Sequence, residues 1–130
     1  MGNDFGVVVA AGSMRSSNVD AMRFPHRWTS EGVTVEADFT GGHLLHLAAA
    51  GCVLNDLYRE AATLGVELQG VRVHASGEFD SDWASGGVSY SVELNSPATP
   101  EQLAHLLEVV DEVAEIPRAI RAGAPVRRVT

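Results

Sequence analysis

Cys52 is the only thiol in a chain of 130 residues, and the residues one turn beyond it decide what it can do. Asn55 and Asp56 lie three and four positions on, the spacing that shares one face of a helix. A thiol reacts as its thiolate, so its pKa must fall from about 8.5 for reaction at neutral pH. A carboxylate at Asp56 pushes the other way unless an arginine lies between them. Arg59 and Glu60 follow closely enough to pair with Asp56 along the helix, as a solvated or subunit-facing ion network. A lone cysteine in an apolar helix is ordinarily a small buried hydrophobe.

His43 and His46 stand three apart, a spacing that can hold a metal. Cys52 is about 180° and about 240° around the helix axis from them, at 100° per residue, so the three cannot share an ion within one helix. No Cys-x-x-Cys or His-Glu-x-x-His pattern accompanies them. Neither a metal nor another cofactor is therefore expected, and the histidines are read as hydrogen-bonding groups near the helix start. Glu108, Asp111, Glu112 and Glu115 read as a solvated helix face. Trp28, Phe39, Tyr58 and Trp83 read as core or interface residues.

The element that must position Cys52 runs from Gly41 to Leu64, GGHLLHLAAAGCVLNDLYREAATL. Its first turns are apolar on every side, and a helix apolar all round has to be covered all round. Gly65 ends it. It spans roughly 33 Å, the width of a small domain. One short chain has few elements to wrap it, so a second copy is expected to share the burial.

Before it, Phe5 to Ala11, Val19 to Trp28 and Val33 to Phe39 read as three strands of an antiparallel meander, with Pro25 marking an edge or bulge. After it, Val66 to Asp80 and Val88 to Leu94 alternate as a long hairpin, with Gly70 and Gly77 as possible bulges. Thr99, Pro100 and Gln102 form a capping box with proline at the first helical position, opening a helix through about Ala114. Pro117 opens a short helical turn ended by Gly123, and Pro125 to Val129 can form a last edge strand. Grouped strands and helices predict an α+β fold in one domain over residues 1–130.

Hydrophobic residues make up 45% of the chain, enough for a core, and the formal net charge is −8 with a pI near 4.9. That charge argues against nucleic acid or an anionic membrane surface as the main partner. No apolar run has the length of a membrane span and no secretory leader is visible, so a cytoplasmic protein is expected, consistent with a single unpaired cysteine.

The strand opening, the GGHLLHLAAAGC helix, the VELQGVRVHASGEFD and VSYSVELNSPA hairpin, the TPEQLAHLLEVV helix and the IPRAI turn together resemble the OsmC/Ohr family from about Phe5 to Val129. The resemblance implies an intertwined homodimer with antiparallel sheets around long buried central helices. It also implies reduction of organic hydroperoxides by a peroxidatic cysteine. In that family an arginine from the N-terminal hairpin and a glutamate near the helix start stabilise the thiolate, and a second cysteine closes a disulfide. Cys52 matches the peroxidatic position. Arg15 lies in the region of the arginine, with Arg23 as the alternative. The glutamate would fall near Gly42, beside His43, and the second cysteine at Ile116. Catalysis is thus assigned to Cys52 and Arg15, with Arg23, His43, Asp56 and Ile116 around the pocket. Lacking a resolving thiol, such a peroxidase needs an external thiol reductant. The alternative is a binding or interaction protein that keeps the fold and an apolar pocket without the redox cycle.

Overall fold

A computed structural model describes residues 4–130. Strand β1 (Val7–Gly12) sits at the centre of a five-stranded antiparallel sheet of order β2-β3-β1-β4-β5, with β2 (Met22–Phe24), β3 (Val33–Glu36), β4 (Gly70–Ser76) and β5 (Ser89–Asn95). The register aligns one face across four strands. Val9 pairs with Val35 and Val73, Val73 with Val92, and Val71 with both Ala11 and Leu94. Period-two alternation thus becomes a continuous valine-rich surface.

Helix α1 (Gly41–Leu64) lies on that surface, flanked by α2 (Pro100–Val113) and α3 (Glu115–Ala122). Its bounds follow from its caps. The Thr40 hydroxyl accepts from the His43 N–H at 3.2 Å, and Gly65 takes the left-handed conformation at φ 70°. Val53, Leu54, Leu57 and Ala61 turn into the sheet and meet Leu106 and Val110 of α2. The capping box of α2 is formed as expected, with Thr99 accepting from Gln102 N and the Gln102 side chain accepting from Thr99 N.

Four local expectations are corrected. The second strand shrinks to three residues, because the segments on either side of Met22–Phe24 turn on side-chain hydrogen bonds of Asn18, His26 and Thr29. Gly70 pairs in regular register with Gly12 and Asn95, and Gly77 lies beyond the end of β4, so neither is a bulge within the strand. Residues 125–129 form no strand and pair with neither sheet edge, β2 or β5. Phe39 lies past the end of β3 and is 89% exposed, and Trp83 is 75% exposed, so within one chain neither is a core residue.

A stripe of α1 remains uncovered. Leu44, which is 37% exposed, is followed at helical spacing by exposed Ala48 and half-buried Gly51 and Asn55. Trp28 and Phe24 are exposed nearby, around a cavity of about 370 Å³ that Leu47, Gly51 and Asn55 also line.

Candidate functional site

Cys52 faces the point where α2 ends and α3 begins. Ala114 terminates α2 and serves as the N-cap of α3, but an alanine has no side chain with which to cap. The first N–H groups of α3 consequently lack a local acceptor. The backbone N–H groups of Ile116 and Glu115 lie near enough to the Cys52 sulfur to favour its anionic form. Cys52 is 8% exposed, and burial pushes its thiol pKa up. The Ile116 N–H opposes that rise, while the carboxylates of Asp56 and Glu115 reinforce it.

Asp56 lies one turn further along α1 and is 2% exposed. Burial raises its carboxyl pKa from 3.8 to about 6, against the pull of Arg59, and Glu115 adds to the rise. An Arg59 nitrogen stands 3.1 Å from Asp56 Oδ2, yet that oxygen receives no hydrogen bond of acceptable direction, so the contact is an ion pair alone. Arg59 also donates to Glu60 at 3.1 Å, so the expected Asp56, Arg59 and Glu60 network is formed.

Glu115 is exposed as the sequence leads one to expect, but it begins α3 rather than continuing the α2 face of Glu108, and the turn at Ala114 brings its carboxylate to α1. One donor atom each from Cys52, Asp56 and Glu115 lies within 4.8 Å of the others. Hydrogen bonding to its own N–H, and to Asp56 and Cys52, holds the Glu115 carboxyl below its usual range. No helical periodicity marks it. The only sequence signal was its position directly before Ile116, where the family places its second cysteine. A thiolate and two carboxylates are suitable ligands for a divalent cation. Here the Arg59 guanidinium already stands against the buried carboxylate, and we assign no metal.

The other predicted site residues lie elsewhere in the chain. Arg15 is exposed in the turn after β1 and donates to the Gly12 carbonyl at 3.1 Å. Arg23 is exposed on β2, paired in register with Thr34. Neither is among the groups acting on Cys52 in this chain. His43 shares a 2.6 Å hydrogen bond with the Thr40 hydroxyl, lies 3.9 Å from Asp38, and lines a polar cavity with Asp20 and Glu36. Ile116 reaches Cys52 through its backbone. At Gly42 the ring of Phe5 fills the space, and a Cβ there would stand 2.6 Å from a ring carbon. A glutamate therefore cannot occupy position 42 unless Phe5 moves.

An apolar cavity of about 340 Å³ opens one helical turn from Cys52, between Ala49 of α1, Val88 and Tyr90 beside and on β5, and Pro117 and Ile120 of α3. Its polar rim is Tyr90, whose hydroxyl donates to Asp111 at 2.5 Å, and Arg121, which pairs with Asp111 at 3.1 Å.

Fold and site thus define an α+β protein with a helix-borne thiol held against a second helix. The family model described as OsmC-like protein matches residues 32–128, and the chain belongs to that family. Among solved structures, an OsmC-like protein from Mycoplasma pneumoniae superposes with a TM-score of 0.58 at 11% identity, covering 82% of this chain and 89% of that one. An OsmC-like hydroperoxide resistance protein from Jannaschia sp. CCS1 superposes with a TM-score of 0.50 at 14% identity, covering 96% and 91%. No curated protein matches the chain. The expected α+β, OsmC-like fold of the chain is thereby established. Among the described residues, no helix is long and apolar enough to cross a membrane.

Proposed function

We propose that this protein is a thiol peroxidase that reduces organic hydroperoxides through Cys52 alone, recycled by an external thiol. The observation that carries this reading is a family member's single cysteine placed on the central helix, beside the N–H groups of Ile116 and Glu115 that favour its anionic form. Those donors favour the anionic form that attack on a peroxide requires. The apolar cavity beside Ala49 suits the hydrocarbon part of an organic hydroperoxide.

Burial alone leaves the thiol protonated, so the site needs a cation that this chain does not supply from Arg15 or Arg23. A homodimer provides one. The uncovered α1 stripe through Leu44, Ala48 and Gly51 packs against a second copy, whose Arg15 or Arg23 approaches Cys52. The free thiol suits a reducing, cytoplasmic setting. Sizing in solution tests the assembly, and a folded monomer contradicts it.

The catalytic test is consumption of cumene hydroperoxide with excess dithiothreitol. Cys52→Ser is expected to reduce turnover to the rate without protein, and an unchanged rate refutes the assignment. A second reading, an OsmC-fold binding protein without a redox cycle, is favoured by the raised thiol pKa and by Ile116 in place of a second cysteine. Titrating alkylation of Cys52 separates the two. A thiol pKa well below 7 in the assembled protein supports the peroxidase, and an unreactive thiol supports the binder.

A further inference from the structure

On the peroxidase reading just given, we infer that the cavity beside Cys52 selects compact, neutral aryl and branched-alkyl hydroperoxides and turns away those that carry a carboxylate, with Tyr90, Asp111 and Arg121 as the specificity-determining set. The size limit comes from the cavity itself. At about 340 Å³ it stands at the small end of ligand pockets, which run from about 300 to 1,000 Å³, so it has room for one ring or a short branched chain. Ala49, Val88, Pro117 and Ile120 give it walls without a polar side chain. Ala49 lies one helical turn before Cys52, and Pro117 follows Ile116, whose N–H is beside the sulfur. A hydroperoxide group meets the thiol at that side, and a substituent across the ring from it faces the polar rim.

The charge selection comes from the rim, where three elements meet. Tyr90 of β5 and Arg121 in the last turn of α3 both close on Asp111 of α2. The Tyr90 hydroxyl donates to Asp111 Oδ1 at 2.5 Å. One terminal nitrogen of Arg121 donates to the same oxygen at 3.1 Å, and the other donates to the Asp111 carbonyl at 3.2 Å. Among the described residues Arg121 is the only charged side chain lining the cavity, and both its terminal nitrogens are spent on Asp111. Burial, and then the bond to Asp111, push the Tyr90 pKa up, so its hydroxyl brings no charge. Glu108 and Glu112 share the adjoining outer surface with Asp111.

A ligand carboxylate at this mouth meets a cation that is already paired and a surplus of negative charge. It loses water without gaining a partner, which a neutral ligand does not. The three residues touch no reacting atom. They act on which molecule enters, so binding is the quantity to read, apart from turnover.

The test uses 4-isopropylbenzoate and its methyl ester, which carry the ring and branched alkyl group of cumene hydroperoxide but no peroxide bond. Their dissociation constants for the purified protein are measured by titration calorimetry at pH 7. The parent is expected to bind the ester at least about tenfold more tightly than the carboxylate. Asp111→Asn keeps the side-chain shape and releases the Arg121 charge. It is expected to tighten carboxylate binding about tenfold, in the range of one charge-assisted hydrogen bond, while ester binding stays within about twofold and reports an intact cavity. Adding Arg121→Gln to that variant is expected to return the carboxylate to its parent affinity. A parent that binds both equally, or neither, or an Asp111→Asn protein whose carboxylate affinity does not move, overturns the selectivity and leaves the peroxidase to its own assay. A parent that binds the ester selectively but does not consume cumene hydroperoxide upholds the selective cavity and ends the peroxidase reading.

Discussion

The start and the middle of α1 each carry titratable side chains, in opposite surroundings. At its start, His43 and His46 lie among aromatic rings. Phe5 meets His43 edge-on at 5.3 Å and Phe79 at 5.2 Å, and His46 donates from Nδ1 to the Phe5 carbonyl at 2.9 Å. The other nitrogen of His46 is buried without a hydrogen bond, facing Gly77. A cavity of about 560 Å³ opens there among Phe5, Leu45, Phe79 and Trp83. Around its middle, the same helix presents Cys52 and Asp56 to Glu115, with Arg59 against Asp56. The difference lies in the covering element. Aromatic rings supply packing with few formal charges, whereas the uncapped start of α3 supplies N–H donors and a carboxylate. One helix can thus hold a structural corner and a reactive one, and each should respond separately to substitution.

Leu57 is fully buried in the core between α1 and the sheet, so Leu57→Ala should cost about 2–5 kcal/mol, as read by denaturant unfolding. Gly77→Ala strikes the aromatic end alone. Its Cβ would collide with the Gly87 carbonyl and stand 2.8 Å from His46 Nε2, for a loss of about 1–3 kcal/mol with Cys52 alkylation unchanged in the folded protein. If that variant altered the thiol's pH profile, the start and the middle of α1 would not be independent. Thr99→Ala removes the cap of α2, which packs on the middle of α1, and should cost about 1 kcal/mol.

Asp56→Asn sharpens the other side with the smallest effect on stability. The folded protein raises the Asp56 pKa from 3.8 to about 6, so it favours the protonated form. The stability this contributes is fully present below about pH 4 and is lost as pH rises through about 6. The melting temperature of the parent should therefore fall relative to the Asn variant between about pH 4 and 7. Removing the nearby carboxylate should also move the Cys52 titration downward. A constant melting difference across that range would show that Asp56 is not held protonated by the fold.

Much of the scaffold was readable from residues next to one another. Gly65 ended α1, Thr99 and Gln102 opened α2, and alternation marked β3, β4 and β5, because caps and alternation are local effects of hydrogen bonding and side-chain direction. The short β2 and the absent last strand were not readable, since whether a segment pairs depends on tertiary contacts that local alternation does not record. The pocket set was readable only in part. Asp56 stands beside Cys52 as their spacing required, but Glu115 reached them through a bend at Ala114, and the pattern of charges on α2 gave no sign of it.

The sequence by itself determined a long apolar helix with one thiol and one carboxylate on a shared face, since 3.6 residues per turn fixes neighbours within an element. Only the tertiary structure decided what faces that thiol. The bend that joins α2 to α3, the lack of a cap at Ala114 and the burial of Asp56 arise from packing between distant segments, and so does the Phe5 ring that fills the space at Gly42.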